Sequence, residues 1–171
     1  MKINFLVHNL APGQLGFFLG RNLNEAIEQN RDLSPSVFFE QVMPICVKPK
    51  FPYLNMAEAY GVKGPTIATN AVTAERLIHM FGPNLDERYF YVWDLEWLRG
   101  QQRPYIFHSN IMTNRDLKLI VRGKEHANLI KNCFNREVKD IVEDFNMEQF
   151  VKIINRDRDH QNQKQNKGDL K

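Results

Sequence analysis

The apolar positions of this chain keep changing period, and each change marks an element. Ile3–Val7 is a short apolar run bounded by polar residues, as in a strand buried on both faces. From Gln14 to about Asn30, Leu15, Phe18, Leu19, Leu23, Ala26 and Ile27 recur at helical spacing. Ser34-Pro35 reads as a loop, and Val37-Phe38-Phe39 opens a second strand ending near Met43-Pro44. Pro49 and Pro52 make 47–53 irregular or extended. Met56 to Tyr60 suits a short helix closed by Gly61, and Pro65 to Thr69 a third strand. Asn70 can cap a helix from Ala71 to Phe81 whose apolar set is Val72, Leu77, Ile78 and Phe81, with Gly82-Pro83 ending it. Tyr89 to Trp93, aromatic and β-branched, is a fourth strand ending at Asp94. Between Leu95 and Asn110 the pattern allows one helical turn at Leu95–Leu98 and a new element from Pro104 to His108.

The clearest unit follows. Leu117–Val121 is apolar and breaks at Arg122-Gly123; an amphipathic helix runs from Lys124 to about Phe134; a second apolar run, Val138–Val142, ends in Glu143-Asp144-Phe145-Asn146. Strand, helix and strand in that order imply a parallel pair joined by a right-handed crossover. Repeated along the chain, the pattern predicts an α/β domain: a three-layer, Rossmann-like fold with a mainly parallel sheet of five to seven strands and Ile3–Val7 central. A short helix from Met147 to Ile154 closes this domain, expected to span 1–155. Residues 156–171, RDRDHQNQKQNKGDLK, carry one aliphatic side chain and read as a disordered polar tail.

Composition narrows the class of partner only a little. The 171 residues have a net charge of +3 and a pI near 8.9, so an acidic partner is permitted and nucleic acid is not excluded. Lys48, Lys50, Arg99 and Arg103 are scattered, without the basic stripe of a strong nucleic-acid binder. Tyr53, Tyr60 and Phe51 interleave with Lys48 and Lys50 but form no second such stretch. Cys46 and Cys133 have no metal-type spacing, and Cys133 shares the apolar phase of its helix, as a buried free thiol would. No metal or cofactor is expected. The opening MKINFLVHN lacks a signal-type apolar core and no stretch is long enough for a membrane span, so a cytoplasmic location is the expectation.

Open α/β sheets bind ligands beyond the carboxyl ends of their strands. That rule selects His8-Asn9, Asn70, Asp94 and Arg122-Gly123. The loop Asn9–Gly16, NLAPGQLG, has glycines at 13 and 16 and leads into a helix N-terminus, yet it is neither a dinucleotide fingerprint nor a P-loop. It is an ordinary tight turn or a place where backbone N–H groups meet an anion or sugar hydroxyl. Trp93-Asp94-Leu95-Glu96-Trp97 is the densest aromatic and acidic cluster. Its tryptophans can pack in a core or stack on a sugar, and Asp94 can cap a turn or accept a proton. His8 and His108 are read first as structural histidines, with His108 the alternative base. Arg122 can pair with Glu125 or with a phosphate.

The run from Leu117 to Phe150 resembles the segment that closes the N-terminal domain of GT-B glycosyltransferases. The resemblance extends in element order over roughly 1–155, and Ala11-Pro12-Gly13 is similar to the loop that faces the interdomain cleft in that family. Where the family usually has a serine, this chain reads Val121-Arg122-Gly123. The resemblance implies an acceptor-binding domain, and no E-x7-E-like run follows Phe150 to supply the nucleotide-sugar half. The expectation is therefore half of a GT-B enzyme, with a second chain contributing the nucleotide-sugar domain and a sugar acceptor bound here. Asp94 would be the catalytic base, and Asn9, Gly13, Asn70, Trp93 and Arg122 would bind substrate. The alternative is a non-catalytic α/β binding or interaction module derived from such a domain.

Overall fold

A computed structural model describes residues 1–80, 87–99 and 103–168. Seven strands form one parallel sheet: β1 Lys2–Val7, β2 Ser34–Phe39, β3 Tyr53–Asn55, β4 Thr66–Ala68, β5 Arg88–Val92, β6 Lys118–Val121 and β7 Asp140–Ile141. Their spatial order is β3-β2-β1-β4-β5-β6-β7. The chain builds outward from β1 in one direction, returns to β4 beside it, and builds outward in the other. A crossover that changes direction at constant handedness must change face. Accordingly α1 (Gln14–Gln29) and α5 (Met147–Gly168) cover one face, while α2 (Ala71–His79), α3 (Tyr105–Thr113) and α4 (Lys124–Phe134) cover the other.

The central strands β1, β4, β5 and β6 are buried on both faces over most of their length and so carry runs of apolar residues. Their alternation divides two cores: Phe5, Val7, Tyr89, Tyr91 and Trp93 pack under α1 and α5, and Leu6, Phe90, Val92 and Trp97 under α2 to α4. The first core is aromatic. Phe145 lies within 6.4 Å, centroid to centroid, of Phe5, Tyr91, Trp93 and Phe150. Its backbone is left-handed, φ 61°, as is that of Asp144, φ 43°. A bulky residue there costs roughly 1–2 kcal/mol, which complete burial of the ring offsets.

Three expectations are corrected. Ser34-Pro35 belongs to β2 rather than to a loop, with Pro35 opposite Ile3. Val37 N–H reaches outward to Pro52, so the same side of Pro35 lies beyond the start of β3 and no donor is missed there. Cys133 is half-buried rather than buried, and Cys46 is exposed. The third concerns the polar tail. Helix α5 does not stop at Ile154 but runs on to Gly168, through most of the stretch expected to be disordered. Arg156 holds Asp140 through two hydrogen bonds of 2.7 and 2.9 Å, Asp157 meets Lys118 at 2.9 Å, and Arg158 meets the buried Glu87 at 2.9 Å. Charge pairing docks Arg156–Arg158, where apolar burial is lacking. The expected helix end at Phe81 and the Gly82-Pro83 stop fall outside the described residues.

Candidate functional site

At the carboxyl ends of β1, β4 and β5, where the strand order reverses, two adjoining hollows of about 450 and 440 Å³ open between α1, α2 and the turn after β5. They share His8, Leu15, Asn70, Trp93, Asp94 and Arg99. Asn9 and Gly13 border one half, and Glu96, Arg103 and His108 the other. The structure thus brings Asn9, Gly13, Asn70, Trp93 and Asp94 to one crevice, and leaves Arg122 outside its lining. A hollow of similar volume lies at the amino ends of the strands, near Lys2 and Lys63 and away from these groups.

Each side chain is set by its local structure. Asn9 closes a tight turn, its Oδ1 accepting from Ala11 N–H at 3.1 Å. Gly13 precedes α1 in an extended conformation open to any residue, and a Cβ there would lie 3.8 Å from Ala11 O. The demanding glycine is Gly16, where a Cβ would sit 2.6 Å from Ala11 O and 3.0 Å from Leu10 O. Only hydrogen at that position lets α1 start so close beneath the loop. Asn70 caps α2 as expected: its Oδ1 accepts from Thr73 N–H at 2.8 Å, and the Thr73 hydroxyl completes the box. Its amide nitrogen is the group left to offer.

Asp94 is held twice. Its Oδ1 accepts from Leu95 N–H at 2.8 Å and its Oδ2 pairs with Arg99 at 2.9 Å. Trp93 is 8% exposed, and its ring lies beneath the Arg122 guanidinium, 4.0 Å from the centroid, with Phe145 beside it at 4.9 Å. Arg122 is fixed in turn by Asp144, which accepts from its Nε at 2.9 Å and pairs with its Nη2 at 2.7 Å. It does not pair with Glu125. The sugar-stacking face expected of Trp93 is therefore occupied by Arg122. Trp97 packs in the opposite core against Phe134 at 5.1 Å and does not flank Asp94 in the crevice.

Three further groups belong to the crevice: His8, which the sequence placed on its rim, Glu96 of the acidic cluster, and His108, the alternative base; the group not legible in the sequence is Glu40. His8 Nδ1 lies 2.7 Å from Glu40 Oε2, with the His8 side chain 44% exposed and that of Glu40 8% exposed. Arg76 of α2 pairs with the other oxygen of Glu40. Glu40 follows β2, 32 residues from His8, and only the parallel pairing of β1 with β2 brings them together. Glu96 accepts from Ala71 N–H, at 3.1 Å to Oε1 and 3.4 Å to Oε2, and its burial raises its pKa above the usual carboxylate value. His108 is 4% exposed; its Nδ1 has no partner among the described residues, and burial lowers its pKa.

The crevice therefore offers an imidazole backed by a buried carboxylate, a carboxylate paired with arginine, a second carboxylate at a helix N-terminus, and an amide. Such groups bind and deprotonate hydroxyls. Among the described residues no three His, Cys, Asp or Glu side chains converge as metal ligands, and no helix is long and apolar enough to cross a membrane. Comparison of the chain with protein-family models, with curated proteins and with solved structures finds no match.

Proposed function

We propose that this domain binds the acceptor in a sugar-transfer reaction of the GT-B kind, with a nucleotide-sugar domain on a partner chain closing over the crevice. The observation that carries the reading is the His8–Glu40 pair at the edge of the crevice. A buried carboxylate that accepts a hydrogen bond from Nδ1–H leaves Nε2 as the basic nitrogen of the ring, the arrangement that general-base catalysis requires. As the acceptor oxygen attacks the anomeric carbon, its proton passes to His8 Nε2. The bond to the nucleoside diphosphate breaks, and that group departs with the electron pair. We assign proton removal to His8, and orientation of the acceptor hydroxyl to Asp94 and Asn70. Asp94, the base expected from sequence, has each oxygen already engaged by Arg99 or Leu95 N–H.

A non-catalytic binding module is the second reading, favoured by the covered face of Trp93. The two separate in one assay: release of UDP or GDP from sugar nucleotides by the purified chain, by the product of the neighbouring reading frame, and by their mixture. Turnover is expected in the mixture alone. Turnover by this chain unaided would sink the two-chain arrangement. A mixture that forms a complex yet turns over no sugar nucleotide would favour the binding module.

A further inference from the structure

The amino end of α2 is the natural anion seat of this sheet. It follows β4 at the reversal of strand order, and its first N–H groups carry the positive end of the helix dipole. The seat is filled from within the chain. Glu96 arrives on the turn after β5 and takes Ala71 N–H with both carboxylate oxygens, at 3.1 and 3.4 Å. Thr73 N–H is meanwhile satisfied by Asn70. A phosphate approaching α2 from the crevice would meet a carboxylate where it needs donors.

A second observation points to the ligand that is admitted. His108 lines the same half of the crevice, almost wholly buried, with its Nδ1 unpartnered among the described residues. Burial favours its neutral form, which both donates and accepts. Of the two arginines that line this half, Arg99 is matched by Asp94 and Arg103 lies over the Phe107 ring, 5.1 Å from its centroid. A buried neutral imidazole with a nitrogen unpartnered among the described residues, an amide nitrogen and a resident carboxylate suit a ligand that carries hydroxyls and no charge.

We propose that Glu96 is a specificity-determining residue, a resident anion that keeps phosphate off α2 and reserves this half of the crevice for an uncharged, hydroxyl-rich ligand. The inference rests on the acceptor-binding reading and sharpens it: the acceptor meets α2 through neutral hydroxyls, and nucleotide phosphates belong to the other domain.

The test is a titration of the ¹⁵N-labelled chain with inorganic phosphate, read at the Ala71 and Val72 amides, for the wild type, Glu96→Ala and Glu96→Gln. Wild type should show no saturable shift at these amides. Glu96→Ala should bind phosphate there at least ten-fold more tightly, and Glu96→Gln, which keeps an acceptor oxygen and loses the charge, should fall between. Should the alanine variant fail to fold, the glutamine variant decides alone. Equal responses in wild type and variants, or tight phosphate binding at Ala71 in the wild type, would overturn the proposal. Its failure leaves the transfer assay untouched, and a failed transfer assay leaves the phosphate result standing.

Discussion

Gly16 shows how a single hydrogen atom positions the crevice. Its missing side chain lets the first turn of α1 lie against Leu10 O and Ala11 O, which fixes the loop between β1 and α1. Gly16→Ala forces two backbone carbonyls to move and should destabilise the chain by about 1–3 kcal/mol. Gly13→Ala, in an open and extended position, should stay within about 0.5 kcal/mol of wild type. Urea unfolding of the two variants checks this, and equal losses would show that the close approach is relieved without cost. The sequence singled out both glycines without ranking them, because spacing says nothing about which carbonyl a Cβ would meet. The same blindness applies to Trp93. Its place beside Asp94 was legible, whereas the Arg122 guanidinium over its ring depends on a turn at Asp144, 22 residues beyond Arg122.

Elements with strong apolar periods were legible almost to the residue. Helix α4, Lys124–Phe134, follows its pattern directly, and β1, β4 and β5 lie within a residue or two of their apolar runs. Helix α5 was misjudged because Arg156–Arg158, just past its apolar part, dock through charge, which an apolar period cannot reveal. Arg158 pairs with Glu87, a carboxylate beneath the surface at the start of β5. Arg158→Ala should cost on the order of 2 kcal/mol, since it leaves that carboxylate buried without its cation. Asp157 adds a pH dependence. Burial pushes its carboxyl up, but hydrogen bonds and charge from Lys118 and Arg156 outweigh this and hold it below the usual value. A carboxyl depressed in the folded state stabilises above its unfolded pKa of about 3.9, and that contribution is lost as pH falls through the folded value. The urea midpoint should therefore fall as pH is lowered from about 5 through the depressed folded value, and Asp157→Asn should flatten part of the drop. An unchanged profile in the variant would mean that α5 is held by other contacts.

For the whole molecule, the parallel three-layer architecture was readable because the central strands carry short apolar runs, as in Phe5–Val7, Tyr89–Val92 and Leu119–Val121, and α1 and α4 keep a helical period between them. Strand order was not, since it depends on which helix covers which face. The order makes the candidate site: the crevice lies at the reversal between β1 and β4, and the β1–β2 pairing sets Glu40 behind His8. Asp94 was chosen from sequence because it ends a strand beside aromatics, while the partner that orients His8 was invisible. The two residues make opposite predictions for the reconstituted assembly. His8→Gln, which removes the basic nitrogen, should lower the transfer rate by about 10²–10⁴-fold with little change in acceptor KM. Asp94→Asn, which keeps a hydrogen-bonding side chain and loses the Arg99 ion pair, should mainly raise acceptor KM. Glu40→Gln should share the His8 phenotype in milder form, because it leaves the imidazole in place and removes the charge behind it. Melting temperatures of the three variants exclude simple unfolding. If Asp94→Asn abolished turnover while His8→Gln retained it, the base would be Asp94 and the His8–Glu40 pair would be reduced to a tie between β1 and β2.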